Sequence, residues 1–236
     1  MCPDASGRRG WFDLEEGSNR GMRRLFQQDL ERLDQDVMRM GALAEAAVEE
    51  AAFALAEGDV DRATRVQASD DAIDNLFIDI ESRALDLVAR QAPVASDLRL
   101  IATILRVIND LERVGDLAYN IAGMVRADLE IVTLKDVCSL VYEMGSESKR
   151  LLGLAIDAWA TKDETLAARM DEYDDTIDEL NRTLIRAIFD ARNEASFDLA
   201  VNLVLVGRYF ERIADHAVNI SERIAYYVTG DAEHLG

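Results

Sequence analysis

Two segments, LERVGDLAYNIA (111–122) and FERIADHAVNIS (210–221), hold the side chains best spaced for chemistry. Each carries carboxylates at i and i+4 and an amide at i+8: Glu112, Asp116 and Asn120 in the first, Glu211, Asp215 and Asn219 in the second. On a helix, eight residues wind only about 80° away from a straight line, so the three oxygen-bearing groups form one stripe. Upstream, DDAIDNL (70–76) and DDTIDEL (174–180) add the i, i+4 pairs Asp70/Asp74 and Asp174/Asp178. Carboxylates with an amide are oxygen-only donors, which suit hard cations such as magnesium, calcium, manganese or iron.

One acid pair of this spacing would mean little, since a chain with 46 acids holds about nine by chance. The signal is recurrence at matching places. Like charges one turn apart weakly destabilise a helix, so something should compensate them. Two compensators fit the pattern: a multivalent cation, or ordinary ion pairs with Arg113, Arg212 and other cations. His216 follows Asp215 directly and is turned about 100° from the stripe, an exposed or interfacial position rather than a ligand's. His234 sits in a polar tail.

The matches identify a duplication. Glu112/Glu211, Arg113/Arg212, Asp116/Asp215, Ala118/Ala217, Asn120/Asn219 and Ile121/Ile220 pair at an offset of 99 residues, and Asp70/Asp174, Asp71/Asp175, Ile73/Ile177, Asp74/Asp178 and Leu76/Leu180 at 104. Side-chain identity at a fixed offset is the mark of repeated units.

The elements that must position these stripes are helices. Leu30, Leu33, Val37, Met40, Ala44, Val48, Ala51 and Leu55 recur at three- and four-residue steps from about Phe26. Gly58-Asp59 predicts a stop and a new cap. A second helix follows from about Val60 to Arg90, broken by Pro93, and a third from about Leu98 to Leu129. The second half repeats the plan over Leu134–Ala160, a Lys162-Asp163 turn, Glu164–Arg192 and Phe197–Val228. The fold class is all-α, six long helices in two tandem three-helix bundles, residues 22–130 and 131–236. Residues 1–21 mix Pro, Gly, Ser and charge without periodicity, which predicts a disordered extension and makes Met22 a candidate start.

The composition narrows function. With 26 Lys+Arg against 46 Asp+Glu, the 236-residue chain has a formal charge of −20, which opposes nucleic acid and anionic membrane surfaces. Cys2 and Cys138 form no CxxC or Cys/His cluster. No apolar run approaches a membrane span and no signal-peptide core is present, so a cytoplasmic location is expected. There is no Walker A loop, no G-x-S-x-G elbow and no His-centred triad. A di-iron carboxylate oxidase would need Glu-x-x-His on two helices, and neither His216 nor His234 has a glutamate three residues before it.

The residues LERVGD…N and FERIAD…N, with SDLRLIATILRVIND upstream and AYYVTGD near the end, resemble the PhoU family over roughly residues 22 to 230. The resemblance implies two three-helix bundles related by a pseudo-twofold, and a non-enzymatic, metal-binding negative regulator of phosphate uptake and phosphate-responsive signalling. It implies as partners the phosphate-specific ABC transporter ATPase and a sensor histidine kinase, with attachment to the membrane only through them, and a homodimer. It places metal on Glu112, Asp116, Glu211 and Asp215, with Asp70, Asp74, Asp174 and Asp178 adjacent and Asn120 and Asn219 as weaker ligands or orienting groups. The cofactor expected is iron, manganese, magnesium, calcium or zinc, in multinuclear clusters. Ala214 departs from the common ERIGD form, and the closing GDAEHLG departs from the family's more basic ending. The alternatives are a helical scaffold without metal and, less well supported by the motifs, the di-iron enzyme.

Overall fold

The computed structural model describes residues 9–231 apart from 92, 94, 126–129, 168 and 194, with side chains also undescribed at 9–20, 22, 91, 130, 167 and 171–174. The chain is helical as its periodicity predicts. The elements are α1 (Arg9–Glu57), α2 (Val60–Gln91), α3 (Ala95–Gly123), a 3-10 turn (Glu130–Thr133), α4 (Lys135–Thr161), the single turn α5 (Glu164–Ala167), α6 (Asp171–Asp190) and α7 (Phe197–Thr229). No helix among the described residues is long and apolar enough to cross a membrane.

The predicted punctuation is observed. Gly58 adopts φ 67°, a left-handed conformation open to glycine at no steric cost, and Asp59 Oδ1 accepts from the Arg62 amide at 2.8 Å to cap α2. Lys162 closes α4 in the same left-handed region, its amide donating to the Ala158 and Trp159 carbonyls. Ser196 caps α7 by accepting from the Leu199 amide.

Three boundaries differ from expectation. Helix α1 starts at Arg9, so residues 9–21 continue the helix rather than forming a disordered extension. That stretch has no proline and includes Arg, Leu and Glu, good helix formers able to propagate from the packed part of α1. Residues 1–8 lie outside the described residues. Helix α3 stops at Gly123, six residues early, as the Met124 and Val125 amides turn back to Ile121 and Ala122 and Val125 packs inward. The expected fifth helix divides into α5 and α6 at Met170, which is fully buried. Restarting the helix at 171 puts the acids of DEYDD in a first turn, where the helix dipole favours negative charge.

Helices α1, α2 and α3 form one bundle, and α4, α6 and α7 the other. The bundles join along two seams, α1 against α4 and α3 against α7, so one continuous apolar core runs through both. Small residues make the first seam close: a methyl on Gly145 of α4 would overlap the Ala52 side chain of α1. The second seam holds a buried polar clasp. Asp110 of α3, 6% exposed, accepts from Arg223 Nε of α7 at 2.7 Å and lies 3.1 Å from His216 Nδ1. Breaking a buried pair of this kind strands a charge away from water, so it holds the two repeats in one relative register.

Candidate functional site

In the first repeat, α2 and α3 meet through a short turn and therefore run antiparallel. Gly115, between Glu112 and Asp116, lets α2 approach closely. A Cβ there would stand 3.2 Å from Asp70 Oδ1 and 3.1 Å from Ile73 Cδ1. Asp70 thus lies over the α3 backbone, beside the Glu112/Asp116 stripe.

This grouping is electrostatically costly. Burial, and then the neighbouring Asp74, Asp116 and Asp71, push Asp70 up from 3.8 to about 6. Glu112 is also raised, first by burial and next by Asp116, with Arg113 opposing and Asp74 and Asp70 adding to the rise. The cation at hand is Arg113, whose Nη1 donates to Asp116 Oδ2 at 2.9 Å and whose Nε stands 3.4 Å from Glu112 Oε2. That second pair has charge proximity without hydrogen-bond geometry: Glu112 Oε2 is buried and accepts no hydrogen bond from the described residues. At Glu112 this guanidinium opposes three carboxylates, Asp116, Asp74 and Asp70.

The second repeat resolves the same problem differently. Glu211 Oε1 accepts from Asn181 Nδ2 at 2.6 Å, and Oε2 from Arg208 Nη1 at 2.9 Å. Arg182 stands 3.5 Å from Asp178. The repeat offsets pair Asn181 with Phe77 and Arg208 with Asn109, so the first repeat has neither compensating group at the matching position. Packing follows the exchange. Gly207 makes room for Asn181, whose Oδ1 would overlap a methyl at that position, whereas the matching first-repeat residue is Ile108. At Ala214, where the first repeat has Gly115, the methyl is fully buried.

The ten predicted site residues therefore separate. Asp70, Asp74, Glu112 and Asp116 come together as an under-compensated cluster. Asp178, Glu211 and Asp215 occupy the corresponding second site, with Arg182 and Arg208 beside them. Asn120 is exposed and Asn219 half-buried, each one turn beyond the last acid. The Asp174 side chain lies outside the described residues. His216 is interfacial, on Asp110, as its angle off the stripe predicts. Among the described residues, no group of three or more His, Cys, Asp or Glu is already arranged to hold a metal ion.

Sequence reasoning missed Asn181, Gly207, Arg208 and Asp110. Comparing the repeats for differences as well as identities would have exposed the first three, because Asn109 against Arg208 adds a positive charge one turn before the motif's glutamate. Asp110 has a weaker signal, an acid next to the apolar stripe of α3, opposite Tyr209 in the alignment.

The geometry meets an independent comparison at this point. The profile of the PhoU domain matches the chain twice, over residues 37–125 and 141–224, one match on each bundle. The chain belongs to the PhoU family. Among its PhoU relatives, the phosphate-specific transport system accessory protein PhoU homolog 1 of Thermotoga maritima is 34% identical over 207 residues, 87% of this chain and 89% of that protein. The PhoU homolog of Clostridium acetobutylicum is 31% identical over 88% of this chain and 96% of its own length. The fold matches the crystal structure of PhoU from Pseudomonas aeruginosa with a TM-score of 0.77 at 32% identity, covering 87% of this chain and all of that one. It also matches the phosphate transport system regulatory protein PhoU from Streptococcus pneumoniae with a TM-score of 0.78 at 27% identity, covering 87% of this chain and 98% of that one. Family membership extends over both repeats, so the contrast between their acidic sites is variation within a complete PhoU fold.

Proposed function

We propose that this chain is a non-enzymatic accessory protein of phosphate-specific transport that works by docking to partner proteins at the cytoplasmic side of the membrane. The supporting observation is the PhoU-domain match on both bundles, together with curated relatives of nearly equal length that are named as transport accessory proteins. In this reading its partners are the transporter ATPase and a sensor histidine kinase, and its output is negative regulation of uptake and signalling. The chain reaches the membrane only through them.

A hard cation belongs to the same proposal. Asp70, Asp74, Glu112 and Asp116 would hold it in the first repeat, with Asp178, Glu211 and Asp215 as the second-repeat candidates and Asp174, Asn120 and Asn219 at their margins. The donor set fits such an ion: it is all oxygen, and the buried Glu112 Oε2 accepts no hydrogen bond from the described residues. The bound cation would supply positive charge that relieves repulsion in the stripe and changes the charge of the face offered to a partner. Because three ligands are not already in place among the described residues, binding must draw the α2 and α3 carboxylates inward. The first repeat should bind more tightly than the second, where Arg208 and Asn181 occupy Glu211.

The test is metal content by mass spectrometry of protein purified without chelator or affinity metal, compared with Glu112→Gln/Asp116→Asn and Glu211→Gln/Asp215→Asn. Iron, manganese or another hard cation should fall mainly in the first variant. Pull-down of the transporter ATPase should weaken in the same variant. Equal, metal-free behaviour of all three folded proteins would remove the cation from the proposal, and unaltered ATPase binding would remove the docking role of this face.

A further inference from the structure

We infer that His216 is a modification site, its Nε2 a nucleophile that takes a phosphoryl group from a small acyl phosphate. The polar clasp on the α3/α7 seam carries the argument. Asp110, ion-paired with Arg223, is a carboxylate and can only accept, so His216 Nδ1, 3.1 Å from its Oδ1, donates and holds the ring hydrogen. In the neutral imidazole this leaves the lone pair on Nε2. No described residue bonds that atom, it is not among the buried atoms that lack a partner, and 16% of the side chain stands in water. Nε2 therefore points its lone pair at solvent from a ring whose orientation a buried carboxylate fixes, the arrangement that prepares a histidine to act on something else.

The seam does not need these groups for its cohesion. At the offset of 99 residues, Asp110, His216 and Arg223 correspond to Tyr209, Leu117 and Met124, so the equivalent positions across the same seam hold three apolar bodies packed on the core. Well-packed apolar residues are often as stabilising as a buried ion pair or more so. Setting the register accounts for Asp110 and Arg223. It does not account for a histidine with one nitrogen free.

The charge around the ring selects a phosphoryl group. Arg212 stands one turn before His216 and Arg223 about two turns after it, on one stripe of α7. Arg212 is exposed and has no ion pair among the described residues. Arg223 bonds Asp110 through Nε, and its Nη groups make no hydrogen bond among the described residues. Guanidinium groups with free N–H donors suit phosphate oxygens, and here they interrupt a chain of charge −20. A ring this recessed admits a small donor, and the mixed anhydride of an acyl phosphate is reactive enough to need no enzyme.

In the step, the Nε2 lone pair attacks phosphorus and forms an N–P bond. The bond from phosphorus to the acyl oxygen breaks, its electrons leaving on a carboxylate. The ring becomes an imidazolium that keeps its Nδ1 hydrogen on Asp110, whose charge balances it. Asp110 is a positioning residue in this step.

The test incubates the full chain, freed of metal by chelator, with radiolabelled acetyl phosphate. A single phosphoryl group per chain should be incorporated, labile in acid, stable in alkali and with the phosphorus NMR shift of a phosphoramidate. His216→Gln, with helicity by circular dichroism unchanged, should abolish labelling, and His234→Gln should leave it intact. Asp110→Asn should slow labelling about tenfold or more. If that variant misfolds, long-range proton–nitrogen NMR of the wild-type imidazole keeps the test valid: Nδ1 should be protonated and Nε2 bare. In folded Asp110→Asn that tautomer preference should weaken, which a purely structural role for Asp110 does not require.

An unlabelled wild type, an alkali-labile label that survives His216→Gln and so sits on carboxylates, a label on His234, or a wild-type ring protonated at Nε2 alone would overturn the inference. None of these outcomes bears on the accessory role, whose tests are metal content and ATPase binding at the first repeat.

Discussion

Asp70→Asn, measured in chelator-treated protein, tests whether the first acidic cluster is held together against its own repulsion. Asp70 is raised from 3.8 to about 6, with burial the largest cause. Between about pH 4 and pH 6 the folded chain keeps a proton on Asp70 that the unfolded chain has released, so stability falls as pH rises through this window. Above about pH 6 the full cost is present; below about pH 4 it is absent. A rise of this size corresponds to about 3 kcal/mol, which solvent screening of a partly exposed carboxylate reduces to about 1 kcal/mol. Asparagine keeps the shape and removes the charge. The variant should therefore be more stable than the wild type by about 1 kcal/mol at pH 8, or about 2 °C in Tm for a chain of this length, and nearly equal to it at pH 4. Thermal denaturation followed at 222 nm at the two pH values measures both differences. Asp178→Asn, where Arg182 stands beside the carboxylate, should change stability by less than about 0.5 kcal/mol at either pH. A stabilisation that is the same at pH 4 and pH 8, or a loss of stability at pH 8, would refute the repulsion argument.

Two packing predictions follow from the seams. Gly145→Ala should destabilise the chain by about 2 kcal/mol in urea unfolding, because the new methyl overlaps Ala52, a short side chain with no rotamer by which to yield. Asp110→Ala should cost about 3 kcal/mol by leaving Arg223 without its carboxylate in a largely buried place; Arg223→Met made together with it should recover part of that loss.

The helical class, the six long helices, the duplication and the positions of the turns were legible in the chain because they depend on local rules. Apolar residues at three- and four-residue steps define a face whatever the partner, Gly58 ends a helix through its backbone freedom, Asp59 and Asp163 cap the helices that follow, and repeated Glu-x-x-x-Asp segments align without any coordinates. The division at Met170 and the 3-10 turn depend on what the flanking segments pack against, and the helical start at Arg9 on propagation from the packed part of α1; periodicity reports neither. The same limit applies to the acidic sites. Spacing made the two stripes look equivalent, and only the packing of α2 on α3 and of α6 on α7 separated them: Gly115 admits Asp70 over an under-compensated cluster, whereas Gly207 admits Asn181, which with Arg208 satisfies Glu211. Charge compensation is a property of neighbours in space, and those neighbours come from other helices.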